Sequence, residues 1–278
     1  MTKKVAISTW CTDDYASVLS VDRLTRSIKH FHPEIDHIVV DSRKTAEIKS
    51  QFPWLDFIWM MPPTCMPYAD DYDMIIHIDA DSVVVGPLTE LIESDEDVIG
   101  VRNNNSMDRA GANNGITIPH IQPWGNGQEI PVQGFINAGL VGINRKEFLF
   151  DWHYLNQKAA TGGRPPYLGD ENDTLNQLFH SDKYSSKIID TIGSGVSYGI
   201  SNLWGSNGNH WESWSSLYVD NGLCMHDPVT AQQMKVKVLH QAGGAVASQI
   251  NHSVGFYNWL LSIVSDETRN YILDVTSP

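Results

Sequence analysis

Short apolar runs alternate, along the first hundred residues, with stretches whose apolar positions recur every three or four residues. "KVAIST", residues 4–9, predicts a strand, followed by the polar turn "WCTDDY". In "SVLSVDRLTRSIKHF", residues 17–31, Val18, Val21, Leu24 and Ile28 share one helical face, and Pro33 ends the helix. "DHIVVDS" (36–42) predicts a second strand and "KTAEIKSQF" (44–52) a short helix. "LDFIWMM" (55–61), "MIIHIDA" (74–80) and "DVIGVR" (97–102) predict a third, fourth and fifth strand. Nearly all-apolar strands alternating with helices belong in a mixed, mostly parallel α/β sheet with both faces covered. Ligands of such sheets sit outside the carboxyl ends of the strands, where "STWCTDDY" and "DAD" both fall.

Residues 102–133 are rich in Gly, Asn and Pro and read as a long loop. "GFINAGLVGINR" returns to strand character, and "EFLFDWHYLNQKAA" predicts a helix. "GDENDTLNQLFHS" predicts another, with an acidic first turn that suits its dipole. "VKVLHQAGG" ends a late strand on His240, and "VGFYNWLLSIVSDETRNYILDV" predicts one amphipathic terminal helix. No repeat or linker divides the chain, so 1–278 is expected to be a single domain.

Composition narrows the partners. A formal net charge of −14 over 278 residues argues against a nucleic-acid backbone. Cys11, Cys65 and Cys224 are scattered, which predicts reduced thiols and a cytoplasmic protein. "MTKKVAISTW" lacks the apolar core of a signal peptide, and no run approaches the ~18 apolar residues of a membrane span.

The chemistry starts at Asp79 and Asp81, which interrupt the apolar run "DMIIHIDADSVVVGPL". On an extended segment, residues two apart project to one side, so both carboxylates can face one ligand. Two carboxylates that close repel unless a cation lies between them, and Mn²⁺ or Mg²⁺ suits an oxygen site completed by substrate phosphates. The plainer alternative is that the pair caps a turn.

"IIHIDADSVVVGPLTEL", "FINAGLVGINRKEF", "DENDTLNQLF" and "VLHQAGG" together resemble, in order and rough spacing, the GT-A glycosyltransferases. They are most similar to family 8, the glycogenin-related galactosyl- and glucosyltransferases. The resemblance implies a GT-A fold, with about 1–101 as the nucleotide-sugar half and about 102–278 as the acceptor half. It implies that Asp79, Ala80 and Asp81 are the D-x-D holding Mn²⁺ (or Mg²⁺) against the donor diphosphate. His240 would be the third metal ligand and Gly243 the glycine near the phosphates. Thr9, Trp10, Asp13, Asp14 and Tyr15 would grip the nucleotide, and Asn137, Ala138 and Gly139 would line the donor sugar. Asp170, Glu171, Asn172 and Asp173 would lie at the reacting carbon, with Asn172 under its face if configuration is retained, or a carboxylate acting as base if it inverts. The implied activity is transfer of a hexose from a nucleotide sugar, UDP-linked, to a glycan or other hydroxyl acceptor, with retention favoured.

Two departures stand out. The family's lysine after the histidine–glycine pair is missing from "HQAGGAVAS", where Val246 stands near its place. Its arginine before the D-x-D strand is absent from "PPTCMPYADDYD", leaving phosphate charge to the metal, Arg102 or Arg109. Trp204, Trp211 and Trp214, in "NLWGSNGNHWESW", offer indole faces for an acceptor sugar or a lid. The competing readings are a sugar-nucleotidyltransferase and a non-catalytic carbohydrate-binding GT-A protein.

Overall fold

The computed structural model describes residues 3–13, 15–57, 61–102, 117–119, 129–131, 134–161, 171–191, 193–198, 215–227, 230–240 and 252–278. Its strands in chain order begin with β1 (Val5–Trp10), β2 (Asp36–Val40), β3 (Met74–Ile78), β4 (Ser82–Val84) and β5 (Val98–Arg102). Then come β6 (Thr117–Pro119), β7 (Glu129–Pro131), β8 (Ile136–Ile143) and β9 (Ser186–Ile188). The last are β10 (Val196–Ser197), β11 (Tyr218–Val219), β12 (Leu223–His226), β13 (Gln233–Val236) and β14 (Val238–His240).

The central sheet has six strands in the order β2-β1-β3-β8-β5-β9. β8 runs against its neighbours β3 and β5, and the remaining pairs are parallel. The expected mixed, mostly parallel sheet is therefore present. β1, β3 and β5 point the same way, so Trp10, Asp79 and Arg102 come to the same edge.

Alternation along β3 shows how the apolar runs serve two faces. Met74, Ile76 and Ile78 pack with Leu24 and Ile28 of the Tyr15–Phe31 helix. Ile75, on the opposite face, joins Phe148, Trp152 and Leu155 of the Lys146–Thr161 helix and Leu175 and Leu178 of the Glu171–Phe179 helix. A continuous apolar strand is what burial on both faces requires. A third cluster joins Val83, Val236 and Leu239 to Tyr257, Leu260, Ile272 and Val275 of the C-terminal helices. It fastens β4, β14 and the four-stranded sheet β10-β13-β12-β11 to the end of the chain.

Three expectations change. Residues 55–57 form no strand and Met61–Cys65 is a short helix, so the described residues of the 55–61 run add no strand to the sheet; 58–60 lie outside the described residues. An apolar run of this length cannot be told from a buried helical segment by periodicity, and all five helical residues are buried. The terminal segment forms two helices, His252–Ile263 and Asp266–Thr276, because Ser265 caps the second by accepting from Thr268 N at 3.2 Å. Third, β3 stops at Ile78, and Asp79–Asp81 is a turn rather than an extended segment. Among the described residues no helix is long and apolar enough to cross a membrane.

Candidate metal centre

The two aspartates meet through this turn. Ser82 N donates to Asp79 O at 3.1 Å, and Asp79 N donates to Gly139 O on β8 at 2.9 Å. His240 comes from far along the chain because β14 pairs antiparallel with β4, setting His240 opposite Ser82. Its Nε2 lies 3.3 Å from Asp79 Oδ2 and 3.3 Å from Asp81 Oδ1. One ligand atom from each of the three residues lies within 4.8 Å of the others.

Neither His240 Nε2 nor Asp81 Oδ1 has a hydrogen-bond partner, although both atoms are buried. Buried polar atoms without partners that converge on one point are what a cation would saturate once His240 has given up any proton to it. Neighbouring ligands of a small octahedral ion with bonds of about 2.1 Å lie about 3 Å apart, so the observed spacing fits. One imidazole and two carboxylates suit Mn²⁺ or Mg²⁺ chemistry. The carboxylates are about a third exposed, 35% and 34%, while His240 is 5% exposed, so the group opens to solvent on the carboxylate side.

The charges are strongly coupled. Burial works against an imidazolium at His240, but Asp81 and Asp79 outweigh it and raise its pKa to about 10. Burial also opposes ionisation of Asp79, yet His240 and His77 hold it well below the usual carboxylate range. Asp81 is raised, by burial first and by Asp79 as well. A proton on His240 thus does the work of a cation between two carboxylates.

Gly139 forms one wall of the site. A Cβ there would lie 2.5 Å from Asp79 Oδ2 and 2.8 Å from His240 Nε2, so only glycine leaves the ligands their place. Asn137 Oδ1 accepts from Gly139 N at 2.8 Å. Asn172 Oδ1 accepts from Ala138 N at 2.8 Å, and Asn176 both accepts from Ile136 N and donates to Ile136 O. The Glu171–Phe179 helix therefore clamps the Ile136–Ala138 stretch through two amides one turn apart. Glu171 and Asp173 flank Asn172 in the first turn, both half-buried.

The first-strand loop lies along the same edge. Trp10, Cys11, Thr12 and Asp13 line an open cleft of about 480 Å³ with Ser42, Thr45, Lys49, Asp56 and Phe57. Asp13 accepts from both the backbone N–H and the hydroxyl of Ser42, the first residue of the Ser42–Gln51 helix. Thr9 is fully buried and donates to Ile78 O at 2.9 Å, so it ties β1 to β3 rather than facing the cleft. Arg102 reaches the same edge but is 6% exposed, and burial pulls its pKa down against Asp190 and Asp227. Asp14, Asp170, Gly243, Arg109, Val246, Trp204, Trp211, Trp214 and the side chain of Tyr15 lie outside the described residues.

Sequence reading passed over Asn176, Ser42 and His77. His77 did leave a signal, as the polar residue inside an otherwise apolar strand.

No protein-family model matches the sequence, and no curated protein matches it. Solved structures do. The apo structure of the bifunctional glycosyltransferase WbbM superposes with a TM-score of 0.51 at 13% identity. It covers 99% of this chain, and this chain spans 52% of that one. The fold is GT-A. The galactosyltransferase LgtC, in complex with donor and acceptor sugar analogs, gives a TM-score of 0.48 at 17% identity, covering 96% of this chain and 99% of LgtC. The glycosyltransferase GlyE of Streptococcus pneumoniae TIGR4 gives 0.41 at 18% identity, covering 67% of this chain and 45% of GlyE. On the GT-A sheet of this chain, the three candidate ligands and the Trp10–Phe57 cleft share the edge formed by the ends of β1 and β3.

Proposed function

We propose that this chain is a metal-dependent glycosyltransferase that moves a hexose from a UDP-linked sugar to a hydroxyl of a glycan or related acceptor, with retention. The observation that carries this reading is the convergence of Asp79, Asp81 and His240 at the strand-end edge, beside an open cleft. On this reading residues 1–101 bind the nucleotide sugar and 102–278 receive the acceptor. The cleft takes the base and ribose, with Trp10 offering an aromatic surface and Asp13 a carboxylate held in place by Ser42.

Asp79, Asp81 and His240 would hold Mn²⁺ or Mg²⁺, which when bound offsets the negative charge that builds on a departing diphosphate. Asn137, Ala138 and Gly139 place backbone beside that charge, and Asn172 keeps the stretch rigid by holding Ala138 N. Glu171 and Asp173, with Asp170 from the preceding residue, supply carboxylate oxygens for the oxocarbenium character of the sugar. The fold and the three-ligand geometry together favour this reading over a nucleotidyltransferase or a purely carbohydrate-binding protein.

The test is a thermal-shift and hydrolysis screen of nucleotide sugars with and without Mn²⁺. Stabilisation and slow acceptor-free hydrolysis are expected with a UDP-hexose and Mn²⁺ together, and both should vanish in Asp81→Ala. A donor panel with no turnover and no metal effect refutes the enzyme reading. A stabilisation that survives Asp81→Ala refutes the metal bridge.

A further inference from the structure

We propose that His77 is a positioning residue that locks Asp79 into one-oxygen ligation and thereby tunes the site toward a small octahedral ion over Ca²⁺. The inference rests on the metal reading above.

His77 interrupts the apolar strand "MIIHI" and is 1% exposed. A buried imidazole is costly unless its nitrogens are engaged, and of the two it is Nε2 that has a hydrogen-bond partner, Nδ1 being buried without one. Its Nε2 lies 3.0 Å from Asp79 Oδ1 and donates to it. The residue sits on the face of β3 that carries Ile75.

Asp79 is consequently held at three atoms. Its backbone N–H is bound to Gly139 O at 2.9 Å, its Oδ1 to His77, and its Oδ2 faces His240 Nε2 at 3.3 Å. Gly139 stands close behind that same Oδ2, so the carboxylate has little freedom to swing. A carboxylate with one oxygen engaged by a buried donor presents the other alone. Ca²⁺ takes six to eight oxygens at 2.3–2.6 Å and readily uses carboxylates bidentately, whereas Mg²⁺-sized ions take six ligands at about 2.1 Å. Removing the His77 donor frees Oδ1 to turn toward the ion, which favours Ca²⁺ and loosens the smaller site. Partners of metal-ligating groups typically change affinity about 10- to 100-fold when removed.

The test measures Mn²⁺ affinity by the paramagnetic signal of the free ion and Ca²⁺ affinity by competition, in the full chain without nucleotide. His77→Phe removes the donor while keeping a ring; His77→Gln keeps an N–H donor. His77→Leu, smaller than Phe, reads the same quantity should the phenyl ring disturb folding, which the metal-free melting temperature reports. In the Phe and Leu variants the Mn²⁺/Ca²⁺ affinity ratio should fall by about tenfold or more, and in the Gln variant by less than about threefold. An unchanged ratio in folded donor-less variants overturns the proposal, as does a Gln variant that falls as far as they do. If the unaltered chain binds no Mn²⁺, the metal reading itself fails, and this proposal fails with it.

Discussion

Gly139→Ala adds one methyl group, and the structure says where it would go. The new Cβ would lie 2.5 Å from Asp79 Oδ2 and 2.8 Å from His240 Nε2, with His240 Cε1 closer still. Ordinary contact begins near 3.4 Å, so Asp79 Oδ2 must retreat by about 0.9 Å and His240 Nε2 by about 0.6 Å. Metal–ligand distances tolerate about 0.2 Å. The displacement is several times that, and both affected residues are ligands. Mn²⁺ affinity should fall by about 100-fold or more, since a ligand moved out of range is effectively lost. Stability should change by about 1–3 kcal/mol, as for other overpacked sites. Gly100→Ala is the matched control. Its Cβ would press on Ile136 Cδ1 and Cβ at 2.8 and 2.9 Å, with Ile136 Cγ2 closer still, among purely apolar atoms, so it should destabilise by a similar amount yet leave Mn²⁺ binding intact. The assay is calorimetric Mn²⁺ titration of all three proteins beside urea unfolding. A Gly139→Ala protein that binds Mn²⁺ within twofold of the unaltered chain refutes the reasoning, because the ligands would then not be where the geometry puts them.

Asn176→Ala removes the amide that both accepts from Ile136 N and donates to Ile136 O in a fully buried position. Leaving buried partners unsatisfied should cost about 3 kcal/mol in urea unfolding, and a loss below about 1 kcal/mol would show that the clamp contributes little. Burial pushes Asp190 up to about 7, against Arg102, which favours the charged form. The folded state therefore holds this proton more tightly than the unfolded chain does. The stability this contributes is complete below the ordinary pKa of 3.8 and is lost as pH rises through 7, with a slope of at most about 1.4 kcal/mol per pH unit. Asp190→Asn keeps the acceptor for Arg102 N but cannot ionise, so the fall in stability between pH 5 and pH 8 should shrink. An identical pH profile in the two proteins would refute the assignment.

Much of the fold could be read directly from the chain. Apolar runs of strand length at β1, β3, β5 and β8 fell where strands form, because a strand buried on both faces is driven to be mostly apolar, and the run at β2 formed the partly exposed edge strand. The same logic failed at the described ends of the 55–61 run, where 55–57 form no strand and Met61 opens the buried helix Met61–Cys65: hydrophobicity records burial, and only neighbours decide which backbone is buried. The terminal segment kept its apolar pattern across a break that Ser265 imposes, and such a cap is a local hydrogen bond the period cannot show.

The site divides the same way. Asp79 and Asp81 declared themselves because two carboxylates in an apolar run are an energetic anomaly in any fold. His240 as their neighbour was implied by resemblance alone, and the reason it lies 3.3 Å from both is a short antiparallel pairing between segments far apart in the chain. His77 and Gly139 were visible as letters, but their relation to Asp79 exists only where β3 and β8 lie side by side. Residue types, and the cost of burying them, are local properties and can be read in order along the chain. Convergence of ligands, the wall behind them and the donor that holds one oxygen are distances between strands, and only the folded sheet sets those.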